Sequence, residues 1–173
     1  KKLGNVFQNN AGNVININAN AMTAEYIRDT GRSTGYIGST PAEALLVNER
    51  AGNQGPLFAR NLITNNGTGG VNVRPEVLTT ESVWDDTDIV HVIRGEITVD
   101  QHHTRSGLRL ESSPDESLVV KLEGGTAGFT ASGIPLDIDD RIGGTVQVIG
   151  QAGFPVILTS LRDDSVGASL DPN

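Results

Sequence analysis

Apolar and polar positions alternate through two short stretches that lie over each other without a gap. Residues 5–17 read Asn-Val-Phe-Gln-Asn-Asn-Ala-Gly-Asn-Val-Ile-Asn-Ile, and residues 61–73 read Asn-Leu-Ile-Thr-Asn-Asn-Gly-Thr-Gly-Gly-Val-Asn-Val. Asn5, Asn9, Asn10 and Asn16 fall on Asn61, Asn65, Asn66 and Asn72, while Phe7, Ile15 and Ile17 fall on Ile63, Val71 and Val73. Each copy predicts a short apolar strand, an Asn-Asn corner, and a second strand with one buried face. Paired Asn suits a sharp corner because it tolerates left-handed backbone and bonds its own main chain. Stacking the copies would bring equivalent Asn side chains into ladders.

The stretch between the copies, residues 21–56, has a different pattern. Thr40-Pro41-Ala42-Glu43 opens a predicted short helix with Thr40 as cap, Pro41 in the first turn and Glu43 completing a capping box. Ala44-Leu45-Leu46-Val47 forms its apolar stripe, and Gly52 and Gly55-Pro56 end it. Residues 28–39, rich in Gly, Ser and Thr, predict an exposed excursion.

From residue 77 onward the pattern predicts strands alone. They are Ile89–Ile93, Glu96–Val99, Leu108–Leu110, Leu118–Leu122, Gly128–Ala131, Leu136–Ile138, Thr145–Ile149 and Val156–Ser160. Gly, Pro, Asp or Ser separates them. That spacing is also compatible with a sandwich or barrel. Two-residue hairpin turns of the Asn-Gly type are scarce, which weighs against antiparallel pairing.

Composition sharpens this picture. The 173 residues suffice for one ordinary domain, yet only 4% are aromatic. A core of Val, Ile and Leu suits thin repeated β layers. The net charge of −8 argues against nucleic acid, which needs clustered Lys and Arg, and against an anionic membrane surface. No apolar run approaches the ~20 residues of a membrane-spanning helix. The absence of Cys excludes disulfides, thiolate metal sites and a Cys nucleophile. Neither Lys1-Lys2-Leu3-Gly4-Asn5 nor Asp171-Pro172-Asn173 reads as a natural terminus, so the chain is expected to be an excerpt from a longer protein.

Several pieces together resemble a β-helix module of very large bacterial surface proteins. Residues 88–99, Asp-Ile-Val-His-Val-Ile-Arg-Gly-Glu-Ile-Thr-Val, are similar to the module's opening strand, Gly, strand. Leu108-Arg109-Leu110 and Leu118-Val119-Val120-Lys121-Leu122 fill the next slots, and residues 144–150 resemble a further rung. Phe154-Pro155-Val156-Ile157-Leu158-Thr159-Ser160-Leu161-Arg162-Asp163-Asp164 resembles the stretch that closes a rung. The resemblance covers residues 5–20 and about 57–171, and its weight lies in the order of the pieces. It implies an all-β, right-handed parallel β-helix (a solenoid), with one short helical or loop insertion near residues 21–56. It also implies an extracellular or cell-surface location and a structural or adhesive scaffold role. The expected organisation is the end of one β-helix stretch over residues 1–76 and the start of a second over 77–173, joined near residues 75–88. Open coil ends expose unpaired backbone, so the expected partners are other modules of the same large protein or copies of itself end to end, as in a surface fibre or filament.

Two alternatives come from other classes. A polysaccharide-active β-helix lyase or hydrolase needs convergent carboxylates. Asp85-Asp86, Asp139-Asp140 and Asp163-Asp164 are available, but neighbours on a strand point to opposite faces. The Asn-Thr-Asp, Gly-His-Gly and Arg-Ile-Lys motifs of such hydrolases are missing, with Asp139-Asp140-Arg141-Ile142 only a fragment. The other alternative is a carbohydrate- or Ca-binding β-sandwich module. Asp163, Asp164 and Asp171 are the candidate ligands for calcium, which takes six to eight oxygens. His91, His102 and His103 are expected in surface turns rather than in a metal site. Trp84 is expected to anchor the junction between segments, with stacking on a sugar ring as the rival role. Asn66-Gly67-Thr68 is a formal glycosylation sequon that reads better as the corner itself.

Overall fold

The computed structural model describes residues 4–22, 56, 58, 60–100, 107–133 and 144–167. They form thirteen β-strands and one short 3-10 turn, Ala19–Ala21, and no α-helix. The strands are β1 Asn5–Gln8, β2 Asn13–Asn18, β3 Asn61–Thr64, β4 Thr68–Arg74, β5 Val77–Leu78, β6 Glu81–Trp84 and β7 His91–Ile93. They continue with β8 Glu96–Val99, β9 Gly107–Glu111, β10 Val119–Leu122, β11 Gly128–Ala131, β12 Thr145–Ile149 and β13 Ile157–Ser160. The predicted helix, the 28–39 excursion and the strand Leu136–Ile138 lie outside the described residues.

The pairing of every named strand is parallel. A five-stranded sheet runs β13-β10-β7-β4-β2, a second sheet runs β11-β8-β5, a third runs β12-β9-β6, and β1 pairs with β3. From β4 onward the chain therefore visits the first, second and third sheets in strict rotation. Parallel neighbours require the chain to travel around between them rather than to turn back in a hairpin. The antiparallel sandwich alternative does not survive this pairing. Only an isolated bridge, Gln151 to Phe154, is antiparallel among the described residues.

The repeated sequence stretches are stacked strands. Asn5 pairs with Asn61, Phe7 with Ile63, Ile15 with Val71, Asn16 with Asn72 and Ile17 with Val73. The Asn-Asn corners adopt the left-handed backbone anticipated for them, with φ of 59° at Asn9 and 51° at Asn65. The stretch 75–88, expected to be a join, holds β5 and β6, which pair with β8 and β9. Strands from either side of residue 76 share the five-stranded sheet, β4 lying beside β7.

Strand alternation builds one dry column. Val71, Val73, Leu78, Trp84, Ile93, Ile97, Val99, Leu108, Leu110 and Val120 are buried together, with Ile15, Ile17, Phe129 and Val146 packed against them. Successive circuits approach so closely that a Cβ on Gly70 would sit 2.4 Å from the Val90 carbonyl oxygen. Only glycine allows that contact.

The outer face of the five-stranded sheet is covered in part by the segment that follows β13. Val90, Val92 and Leu161 form a small second cluster there. Lys121, in register with Val92 and Thr159, is fully buried on that face, and its Nζ donates to the Asp163 carbonyl oxygen at 2.8 Å.

Candidate functional site

The polar side chains on the outer faces form lines that cross the strands. The Asn5 amide donates to Asn61 Oδ1 at 2.9 Å, the Asn65 amide to Asn9 Oδ1 at 2.6 Å and the Asn72 amide to Asn16 Oδ1 at 2.8 Å. Asn66 is the most complete. Its Oδ1 accepts from the Asn10 main-chain N–H at 3.1 Å and Asn10 Nδ2 at 2.7 Å, while its Nδ2 donates to the Phe7 and Thr64 carbonyls at 2.9 and 3.1 Å. That exhausts the two donors and two lone pairs of its amide. Asn66 is buried and its nitrogen is occupied, so the sequon is the corner and not a glycan acceptor.

Arg94 ties several strands together. Its guanidinium donates to Asn13 Oδ1 at 3.1 Å, Asn72 Oδ1 at 2.7 Å and Thr68 Oγ1 at 3.0 Å, and it pairs with the Glu123 carboxylate. The planar fork suits this bridging, whereas a lysine ammonium would reach fewer partners.

The three carboxylate pairs are not assembled into a reactive set among the described residues. Asp86 is buried and accepts from the Phe58 N–H at 3.2 Å, bracing the corner after β6. Asp163 folds into its own turn. Its Oδ1 accepts from Ser165 Oγ at 2.5 Å and the Ser165 N–H at 3.0 Å, and its Oδ2 accepts from Thr159 Oγ1 at 2.5 Å. The Ser165 and Thr159 hydroxyls, the Ser165 N–H and nearby Lys121 outweigh partial burial and hold its carboxyl down from 3.8 to about 2. Asp164 is exposed in the same turn. Asp139, Asp140 and Asp171 lie outside the described residues. No group of three or more His, Asp or Glu side chains stands together among the residues described. The structure therefore does not bring the expected calcium trio into view.

A groove of about 460 Å³ runs beside the corner that leads into β7. Ile89, Val119 and Phe154 contribute apolar walls, and Asp88, Asp115 and Glu116 line its rim. Two of these carboxylates serve the protein itself: Glu116 accepts from Thr87 Oγ1 at 3.1 Å, and Asp88 from the Arg60 N–H at 3.4 Å.

The structure bears against the rival sugar-stacking role of Trp84 and differs from the surface turn expected for His91. Trp84 is not at the surface. It is buried, and its Nε1 donates to Ser82 Oγ at 3.1 Å, so it has no free face for a sugar. His91 is not in a surface turn either. It lies inside, in register with Val71 and Val120, stacked on Trp84 at 5.2 Å between ring centroids with 18° between planes. Neither ring nitrogen has a hydrogen-bond partner among the described residues. Burial pushes its pKa down from 6.5 to about 4. Period-2 counting contains the signal, because His91 is in phase with Ile89 and Ile93, both buried in the column. His102 and His103 lie outside the described residues.

At the far end of the stack, inward positions lose their cover. Val148 and Leu158 continue the columns of Leu110 and Val120 but are 52% and 45% exposed, while Leu110 and Val120 are fully buried. Strands β11, β12 and β13 are the edges of their sheets at that end.

No protein family, no curated protein and no solved structure matches this chain.

Proposed function

We propose that this chain is a stretch of right-handed parallel β-helix that acts as a structural or adhesive scaffold outside the cell, joined end to end to further β turns. The observation that carries the reading is the strict rotation of β4 through β13 among three parallel sheets, ending on edges whose inward Val148 and Leu158 are half-exposed. A stack of this kind is extended by adding strands, and its free edges carry unpaired N–H and C=O groups that template such addition. The two free edges of the five-stranded sheet are β2 and β13, so a second copy stacked head to tail sets its β2 parallel to β13. Contacts of that heterologous kind repeat without closing. The polar lines across the outer faces support a rod that holds its register rather than a site that turns over a substrate.

Negative-stain electron microscopy across a range of concentrations tests the reading. Rods lengthening in steps of one subunit are expected, with Val148→Lys/Leu158→Lys reducing them to single units. Dispersed particles at every concentration, together with cleavage of any polymer in a panel of acidic and neutral glycans, would replace the scaffold with the polysaccharide-active alternative. For location, digestion by protease added to intact producing cells is expected, and full protection there would remove the extracellular assignment.

A further inference from the structure

The least expected group in the column is a titratable one. His91 is fully buried, lies flat against Trp84, and offers two ring nitrogens that no group among the described residues meets. Trp84 is held in turn by its edge contact with Phe129, at 5.6 Å and 71°, and by Ser82, whose Oγ donates to the Met22 carbonyl oxygen at 2.6 Å. Three elements therefore meet at one stack: the corner from β6 to β7, strand β11, and the segment after β2.

The charged residues on the described elements around this stack, with Asp85 half-buried beside Trp84, make no hydrogen bond to the imidazole. On β4 the ionisable residue is Arg74, exposed at the strand's end, while His91 faces Val71. On β10 it is Lys121, which faces the opposite side of the sheet and bonds Asp163. On β6 it is Glu81, which is exposed, and in the corner that follows, Asp86 accepts from Phe58 and Asp88 from Arg60. On β8 and β9, Glu96 is exposed and Arg109 and Glu111 are half-exposed, and they bracket inward Ile97, Leu108 and Leu110. Among the described residues no carboxylate bonds the imidazole, and burial is the cause that lowers its pKa.

We propose that the His91–Trp84 stack is an acid-operated latch, in which uptake of a solvent proton by His91 opens the column at the corner between β6 and β7. An imidazolium has two donors and a charge, and neither finds a counterpart in an aliphatic column. Relief comes when the ring moves out to water, which unstacks Trp84 and uncovers Phe129. The latch thus couples external acidity to the integrity of the strand stack, independently of what the stack is used for.

The chain has a single Trp, so Trp84 emission reports this site alone. Acidification from pH 7 to pH 3 is expected to shift the emission to the red together with loss of the far-UV strand signal. In His91→Phe the midpoint is expected to fall by about one pH unit or more, while the control His102→Gln/His103→Gln keeps the wild-type midpoint. Equal midpoints in wild type and His91→Phe would overturn the latch, as would a shift in the control. If His91→Phe does not fold, the imidazole resonances of the wild-type chain decide. One histidine is expected to stay neutral until the cooperative transition, and three histidines titrating near the ordinary value in a folded chain would overturn the proposal.

Discussion

The laddered strands at residues 5–18 and 61–74 and the later strands from β6 to β13 hold their register by different means. In the first region four Asn pairs face one another and bond across the stack at a fixed separation of 56 residues. In the second no Asn pair bonds across the strands among the described residues. Arg94 meets Glu123, 29 residues on, and Arg109 meets Gln147, 38 residues on. What aligns those circuits is the aliphatic column, with occasional polar pins. A ladder demands the same amide at the same place, whereas a column demands only that an inward position be apolar and of suitable bulk. One region is thus specified residue by residue and the other by class.

The sharpest break in this contrast is expected from the column. Leu110 is fully buried between the levels of Trp84 and Val148. Leu110→Ala is expected to lower unfolding stability by about 3 kcal/mol, read as a lower midpoint in chemical denaturation.

Acid is the next largest lever. The unfolded chain takes up a proton on His91 near its ordinary 6.5, while the folded chain refuses it until about 4. The unfolded state binds more protons in that window, so stability is full above pH 6.5 and falls as pH drops toward 4. The loss is on the order of 3 kcal/mol. Denaturation midpoints measured at half-unit pH intervals check the sign and the window.

The ladders are expected to respond less, and unequally. Asn66→Ala removes a buried amide that serves the Phe7 and Thr64 carbonyls and both nitrogens of Asn10, and should cost about 2 kcal/mol. Asn5→Ala removes an exposed bond and should cost under about 0.5 kcal/mol. Equal effects at the two sites would mean that the ladder acts as a unit and not bond by bond.

The smallest effect belongs to the turn after β13. Asp163 is held low by Ser165 and Thr159, so its contribution is present above pH 3.8 and disappears as pH falls toward 2. Asp163→Asn should flatten the acid limb in that window while leaving the one between 6.5 and 4 unchanged. Added calcium separates this local role from ion binding: a calcium-dependent rise in midpoint, lost in Asp163→Asn, would place the ion in the turn.

The contrast also explains what the sequence revealed. Ladder residues must match, so the repeat at 5–17 and 61–73 was legible down to its partners. Later circuits vary in length because their corners differ, so no period emerged and only individual strands could be read. Glu96–Val99, Gly128–Ala131 and Thr145–Ile149 have the bounds their alternation predicts. Strands β5 and β6 were missed. The first is two residues long, and the second turns the polar Ser82 inward, where it serves Met22 and Trp84 and breaks the apolar alternation. His91 was hidden for the same reason, as a polar residue on an inward beat. The candidate chemistry was the least legible part, because residue types name possible ligands while only packing shows whether they already have partners. Asp86 and Asp163 do.

The unequal circuit lengths carry a mechanical consequence. Hydrogen bonds between circuits point along the direction of stacking, so tension applied to the two ends loads them one strand at a time. Each circuit that peels away releases its own length of chain, about 100 Å where 29 residues separate bonded neighbours and about 130 Å where 38 do. A stack of this kind yields to tension in discrete steps of differing size, lengthening under a steady pull while the circuits still stacked keep their grip.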